Sequence, residues 1–393
     1  MTMRPCAFDE RINRQSTNSL KWDTLRDVFG REDLLPLWVA DMDFPSPPEV
    51  IEALKEKAAH RVYGYHVRSE SFFQSVVEWF GRRHNWPIER EWVALTPGVV
   101  PSICLAIQAF TSPGDGVVIQ SPVYPPFFRC VKENGRRIVE NPLRQVNSRY
   151  EMDFDDLAAK LDEGVKMLVL CSPHNPVGRV WTEAELRRLN DLCCERDILI
   201  LSDEIHCDLV FQGHRHTPFA ALGAEAAART VTCVAPSKTF NIAGLNTSFV
   251  IISDEGLRRR FRQVMLSLSL GEGNLFGVAA SEAAYRHGDA WLDALLPYLE
   301  GNADYLTRYV SERMGELDIV KPEGTYLGWL DCRRLGLRPA ELKRFFVEEA
   351  KVGMNDGLTF GQPGAGFARI NFGCPRELLV EGLQRIEAAL RRR

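Results

Sequence analysis

Lys238 stands in "APSKTFNIAGLN" (235–246), between an apolar run, "RTVTCVAP", and a glycine turn. A lysine is usually solvated, but one held at such a junction can instead form an imine with a carbonyl compound. Three upstream stretches bear on the choice. In "TPGVVPS" (96–102), Gly98 lets the backbone approach a ligand, and the N–H groups of Val99 and Val100 would open a helix facing an anion. Taken alone, this reads more readily as an ordinary strand-to-helix turn. In "SPHNPVGRV" (172–180), prolines on both sides of His174-Asn175 fix a turn, and Asn175 presents an amide. A turn former and a ligand contact both fit. In "LSDEIHCDLVF" (201–211), Asp203 lies just past the apolar run "ILIL". It is placed to cap a helix or to meet a cationic ring nitrogen, since a buried carboxylate needs a partner. A phosphate seat, an amide donor, a strand-end carboxylate and an isolated lysine occur in that order. Together they are the requirement set of pyridoxal phosphate chemistry, in which the lysine supplies an imine and the carboxylate keeps a pyridine nitrogen protonated.

Such groups must be carried by elements that converge. From residue 48 to about 290, amphipathic helical patterns alternate with short apolar runs. The predicted strands are 92–96, 116–121, 166–172, 198–204, 229–235 and 247–253. Helices between them include "TEAELRRLNDLCCERD", capped by Thr182. Apolar strands separated by helices predict an α/β fold, with a mostly parallel sheet covered on both faces. Ligands then bind beyond the carboxyl ends of the strands, which is where the motifs fall. A long helical region, "TYLGWLD", a helix over "PAELKRFFVEEA", "FARINFG" and a last helix from Arg376 predict a smaller α+β C-terminal domain. The expected division is an N-terminal segment (1–47) contributing to the small domain, a large domain (48–290) and the small domain (291–393).

Composition narrows the partners. The 393 residues carry a net charge of -5, which argues against nucleic acid and anionic membranes. No run approaches the ~20 apolar residues of a membrane span. The start, "MTMRPCAFDERINRQSTN", has no apolar signal region, so a cytoplasmic location is expected. The ten cysteines form no C-x-x-C pair and read as reduced core residues. "GHRH" (213–216) reads as a polar loop, and no metal centre is expected.

The stretches "LPLWVADMDFPSPPEV", "VYGYH", "TPGVVPSI", "SPVYPPF", "SPHNPVGRVW", "SDEIHCDLVF", "APSKTFNIAGLN" and "FARINFGCP" span nearly the whole chain. With them it resembles the fold-type I pyridoxal-phosphate enzymes, and within these the MalY/PatB-type cystathionine β-lyases, to which "WVADMDF" and "DEIHCD" point in particular. The resemblance implies a seven-stranded-type mixed sheet and a homodimer with active sites at the subunit interface. It makes Lys238 the Schiff-base lysine, Asp203 the partner of the pyridinium nitrogen and Asn175 the partner of the ring hydroxyl. Tyr124 would stack on the ring, and Gly98, Val99 and Val100 would seat the phosphate. Tyr65, with Tyr63 as its neighbouring alternative, would reach the other subunit's phosphate. Arg369 would fork onto the substrate α-carboxylate, with Val39 and Ala40 lining the substrate side through backbone groups. Two positions depart from the aminotransferase pattern: His206 replaces a common tyrosine, and Asn246 a phosphate-binding arginine. Both agree with the lyase branch; they leave Ser237, Tyr65 and backbone N–H groups to hold the phosphate and His206 as cofactor neighbour or support. The implied reaction is α,β-elimination of L-cystathionine or a related cysteine S-conjugate to a thiol, pyruvate and ammonia. The alternatives are an aminotransferase acting on an L-amino acid and a 2-oxo acid, and a regulatory protein that binds the cofactor without turnover.

Overall fold

The computed structural model describes residues 8–147, 149–161 and 164–393. Its main sheet has seven strands: β1 (Val93–Thr96), β2 (Gly116–Ile119), β3 (Arg137–Glu140), β4 (Val165–Cys171), β5 (Leu199–Asp203), β6 (Thr230–Val234) and β7 (Ser248–Ile251). The spatial order is β1-β7-β6-β5-β4-β2-β3. Only β7 runs against its neighbours, pairing antiparallel with both β1 and β6. The six strands read from the sequence are all present. β3 is the addition: "RIVE" offers two apolar residues between charged ones and lies at the sheet edge, so no continuous apolar run marks it.

Apart from the edge strand β3, the strands are buried on both faces, and β4 shows why they read as unbroken apolar runs. Met167, Val169 and Cys171 face one core, with Ile103 and Ile107 of helix α2 (Val99–Phe110). Leu168 and Leu170 face the other, with Leu186 and Leu189 of helix α3 (Glu183–Cys194). The period of two in a strand forces this split, and each fully buried aliphatic side chain contributes about 2 kcal/mol. Helix α3 begins with a capping box, Thr182 with Glu185. On the β1–β7 side, helix α1 (Glu70–His84) brings Phe72 and Trp79 against Phe249 and Val234.

The chain then leaves the sheet through helices α4 (Leu275–His287) and α5 (Asp289–Arg313). A second, antiparallel sheet follows, of β8 (Asp318–Ile319), β9 (Leu327–Asp331), β10 (Asn355–Asp356) and β11 (Phe367–Asn371), in the order β8-β9-β11-β10. Helix α6 (Arg376–Leu390) closes the chain. The helix read over "PAELKRFFVEEA" is α-helical only to Arg344 and widens to a π-turn over Phe345–Glu349. The nine described cysteines are free; Cys6 and the rest of 1–7 lie outside the described residues.

The N-terminal segment bonds the second sheet, where the Asn371 N–H of β11 donates to the Leu37 carbonyl at 2.9 Å. Leu35 and Pro36 pair in parallel with Val352 and Gly353. Beyond them, "WVADMDF" (38–44) is anchored by a buried ion network. Lys21, wholly buried, donates from Nζ to Asp43 Oδ2 at 2.6 Å, and Arg14 Nη1 donates to Asp43 Oδ1 at 2.7 Å. Arg14 also forks onto Asp41, at 3.0 and 2.6 Å. Removing one partner of a buried ion pair leaves the other uncompensated, at a cost of about 3 kcal/mol. Lys21→Ala is therefore expected to lower the unfolding free energy of the cofactor-free protein, read from urea titration, by about that amount and with it the midpoint; an unchanged midpoint would contradict the network's role.

Candidate active site

Loops following β1, β4, β5 and β6 meet above the carboxyl ends of those strands. They enclose a cavity of about 330 Å3 lined by Gly98, Val99, Val100, Tyr124, Asn175, Asp203, His206, Ser237, Lys238 and Ala40. Ten of the sequence-predicted site residues are thus brought together. Arg369 joins them through a hydrogen bond to Asn175, Val39 lies one residue behind the wall, and Tyr65 stands outside, fully exposed.

Gly98 caps helix α2, and Val99 and Val100 are its first residues. Their N–H groups have no carbonyl one turn back to bond, so this end of the cavity is set to receive an anion. Asp203 ends β5 between Cys171 and Cys233 in register. Among the described residues, the one donor to its carboxyl is the Ile205 N–H, at 3.2 Å. Burial pushes the carboxyl up to about 7, with Glu204 adding to the rise and Ile205 and Lys238 opposing it. Strand alternation turns the next acid away. Glu204 accepts from Ser202 Oγ (2.7 Å) and the Phe219 N–H (2.9 Å) and pairs with His216 Nε2 at 2.9 Å. Gly213, His214 and Arg215 of "GHRH" lie in an exposed loop, and His216 at its end is buried. The third acid, Asp208, accepts from Trp79 Nε1 (3.0 Å) and Thr239 Oγ1 (2.7 Å) and bonds His84 Nε2 (2.7 Å). It fastens the turn that carries the lysine.

Lys238 lies in that turn, Pro236–Thr239, and its Nζ donates to the Ala40 carbonyl at 2.6 Å. Burial lowers its pKa to about 8, against Asp41 and Asp203 and with help from Arg369. His206, also buried, is held neutral, at about 3, by burial and then by the Lys238 and Arg369 charges. Its Nδ1 has no hydrogen-bond partner among the described residues.

Arg369 is on β11. Nη1 donates to Asn175 Oδ1 (3.0 Å), and Nη2 to Asn355 Oδ1 (2.7 Å) and the Trp38 carbonyl (2.9 Å). Its guanidinium lies 5.0 Å over the Phe360 ring, and its buried Nε has no hydrogen-bond partner among the described residues. Burial lowers its pKa only to about 10, so it stays charged at neutral pH. No described carboxylate forms an ion pair with it. A buried cation held by neutral acceptors is a receptor for an anion.

Trp38, Asn355, Tyr326, Asn241 and Asn371 were not legible as site residues. Each acts through a partner far along the chain; the one local signal is the glycine-turn asparagine Asn241, in a left-handed conformation (φ 56°).

The family model for aminotransferase class I and II matches residues 32–386. Cystathionine beta-lyase PatB of Bacillus subtilis (strain 168) is 45% identical over 98% of this chain and 99% of its own. A PLP-bound protein from Clostridium difficile 630, described as an aminotransferase, superposes with a TM-score of 0.96 at 44% identity, covering 98% of this chain and 99% of that one. Cystalysin from Treponema denticola, which contains pyridoxal 5'-phosphate, superposes at 0.95 with 38% identity and 98% coverage of both chains.

A carboxyl whose folded pKa is raised from 3.8 to about 7 favours the fold below the lower value. That contribution is lost as pH rises through the higher one. In the cofactor-free protein, Asp203→Asn is therefore expected to raise the melting temperature at pH 8, with the gain vanishing by pH 4. Differential scanning fluorimetry across that range reads it; a loss at pH 8 would contradict the assignment.

Proposed function

The chain belongs to the aminotransferase class I and II family, and from that premise we propose how its cavity works as a pyridoxal-phosphate-dependent carbon–sulfur β-lyase. The substrate is L-cystathionine or a related cysteine S-conjugate, and the products are a thiol, pyruvate and ammonia. The observation that carries this reading is the meeting of the Lys238 amine with a buried guanidinium that lacks a carboxylate partner among the described residues and is bonded to Asn175 of the same cavity wall.

The residues present fit the cofactor. Asp203, whose carboxyl has a single donor among the described residues, suits a protonated ring nitrogen. Asn175 spends its Oδ1 on Arg369 and keeps its Nδ2 donors for the ring hydroxyl. The Val99 and Val100 N–H groups and Ser237 suit the phosphate, Tyr124 and neutral His206 flank the ring, and Lys238 holds the cofactor through Nζ. Bound there, it supplies an electron sink for the charge left on the substrate's Cα.

The chain's own residues do the rest. Arg369 forks onto the α-carboxylate and fixes the substrate's orientation. Lys238, lowered to about 8, is close enough to neutral pH to act as a base and takes the Cα proton. The thiolate leaves Cβ and is protonated by Lys238 or Tyr124. The three-carbon fragment hydrolyses to pyruvate and ammonia.

Three further parts belong to this reading. A second copy completes the site: Tyr65 is fully exposed beside exposed Val62 and Val67, while Tyr63 spends its hydroxyl on the Ala58 carbonyl at 2.8 Å. That favours Tyr65 as the reaching side chain, in a homodimer. The chain divides at 48–290 and 291–393, with 1–47 joining the smaller part, as the ladder from Leu35–Pro36 to Val352–Gly353 supports. The free thiols suit a cytoplasmic setting.

With L-cystathionine and no 2-oxo acid, the holoenzyme is expected to release pyruvate and free thiol over many turnovers. Turnover that requires an added 2-oxo acid would instead establish the aminotransferase. Lys238→Ala is expected to lose the visible cofactor band and roughly 1,000-fold in kcat; full activity in that variant would overturn the scheme.

A further inference from the structure

The Ala40 carbonyl accepts from two side chains at once: Lys238 Nζ at 2.6 Å and the Tyr326 hydroxyl at 2.9 Å. A carbonyl oxygen has two lone pairs, so these donors fill it. The segment that carries it is fixed from both sides. Asn371, two residues beyond Arg369, donates to the Val39 and Asp41 carbonyls at 2.5 and 2.6 Å. Asn241, three residues beyond Lys238, donates to the Met42 and Phe44 carbonyls at 2.9 and 2.8 Å and accepts from the Met42 N–H at 3.0 Å. The oxygen is therefore a rigid point between the lysine turn and the arginine strand.

Tyr326 is presented to that point by an unusual backbone. Thr325, before it, has φ 68°, which is uncommon for a β-branched residue. Its N–H donates to the Leu209 carbonyl (2.7 Å), and its Oγ1 accepts from the Leu327 N–H (3.1 Å). The phenol is 1% exposed, and its ring stands edge-on to His206 at 5.8 Å.

We propose that Tyr326 is a positioning residue for Lys238, acting through the Ala40 carbonyl that both side chains share. The proposal rests on the reading of Lys238 as the base. A hydrogen bond to the charged form of a group favours that form. By occupying one lone pair, Tyr326 limits how strongly Ala40 holds the Lys238 ammonium, and so leaves more of the amine neutral. The charged and titratable groups facing Lys238 are Asp41 and Asp203, which favour the ammonium, and Arg369, which opposes it. Tyr124 and His206 line the same cavity as neutral groups, and Arg14 and Lys21 stand behind Asp41.

Tyr326→Phe keeps the ring and removes the shared donor. The ascending limb of the kcat–pH profile is expected to move to higher pH by about half a unit or more, lowering kcat at pH 7 roughly threefold or more, with KM within about twofold. 3-Fluorotyrosine at position 326, a stronger donor of nearly the same shape, is expected to move the limb the other way. A second readout needs no turnover. Imine formation requires the neutral amine, so the pH dependence of pyridoxal phosphate uptake by the cofactor-free protein, read from the visible band, should shift in the same two senses. Limbs that stay in place, or that move in one direction for both variants, would overturn the proposal, even if kcat or stability fell. Absence of lyase turnover in the parent chain would strike the proposed function alone, because the uptake limb still reports on Tyr326.

Discussion

Two cations, half-buried Lys238 and buried Arg369, meet at one cavity, with Asp203 as the carboxylate lining it. Burying charge without full compensation is expensive, and much of the local architecture can be understood as meeting that cost with neutral acceptors. Arg369 is held by two asparagine side chains and the Trp38 carbonyl, and Lys238 by the Ala40 carbonyl. Neutral acceptors hold a cation in place without cancelling its charge. The arginine keeps its attraction for a carboxylate, and the lysine keeps a lowered proton affinity.

The fold supplies those acceptors from distant parts of the chain. The parallel strands deliver Asp203, Asn175 and the lysine turn to one edge, as their shared direction requires. The second sheet delivers Arg369 and Asn355 from the adjacent strands β11 and β10, which pair at those two residues. The N-terminal segment delivers the Trp38 and Ala40 carbonyls, and can do so because the Arg14–Lys21–Asp41–Asp43 network holds it. Neither sheet nor segment makes the site alone.

This division explains what could be read from the sequence. The six strands with continuous apolar runs were legible because burial on both faces leaves little room for polar residues. Lys238, Asp203, Asn175 and the 98–100 turn were legible because each follows such a run directly. β3 was not, being a short edge strand flanked by charges. Asn355, Trp38 and Tyr326 were not, because what they do is fixed by tertiary contacts with residues between 14 and 331 positions away. "WVADMDF" marked the lyase branch by resemblance, but its role as a supplier of backbone carbonyls depends on a peptide oxygen, which any residue carries. Among the acids of "SDEIHCD", the sequence could not say that Glu204 and Asp208 are engaged in internal networks; strand alternation and the partners His216 and Thr239 decide that.

The central claim is that Lys238 is the amine that joins the cofactor at the meeting of the two sheets and the N-terminal segment. Borohydride reduction of the holoenzyme, followed by digestion and mass spectrometry, tests it directly. The account predicts a stable pyridoxyl-phosphate adduct on the peptide containing Lys238, abolished when L-cystathionine is turning over at saturation. An adduct on another lysine, with Lys238 unmodified, would contradict it.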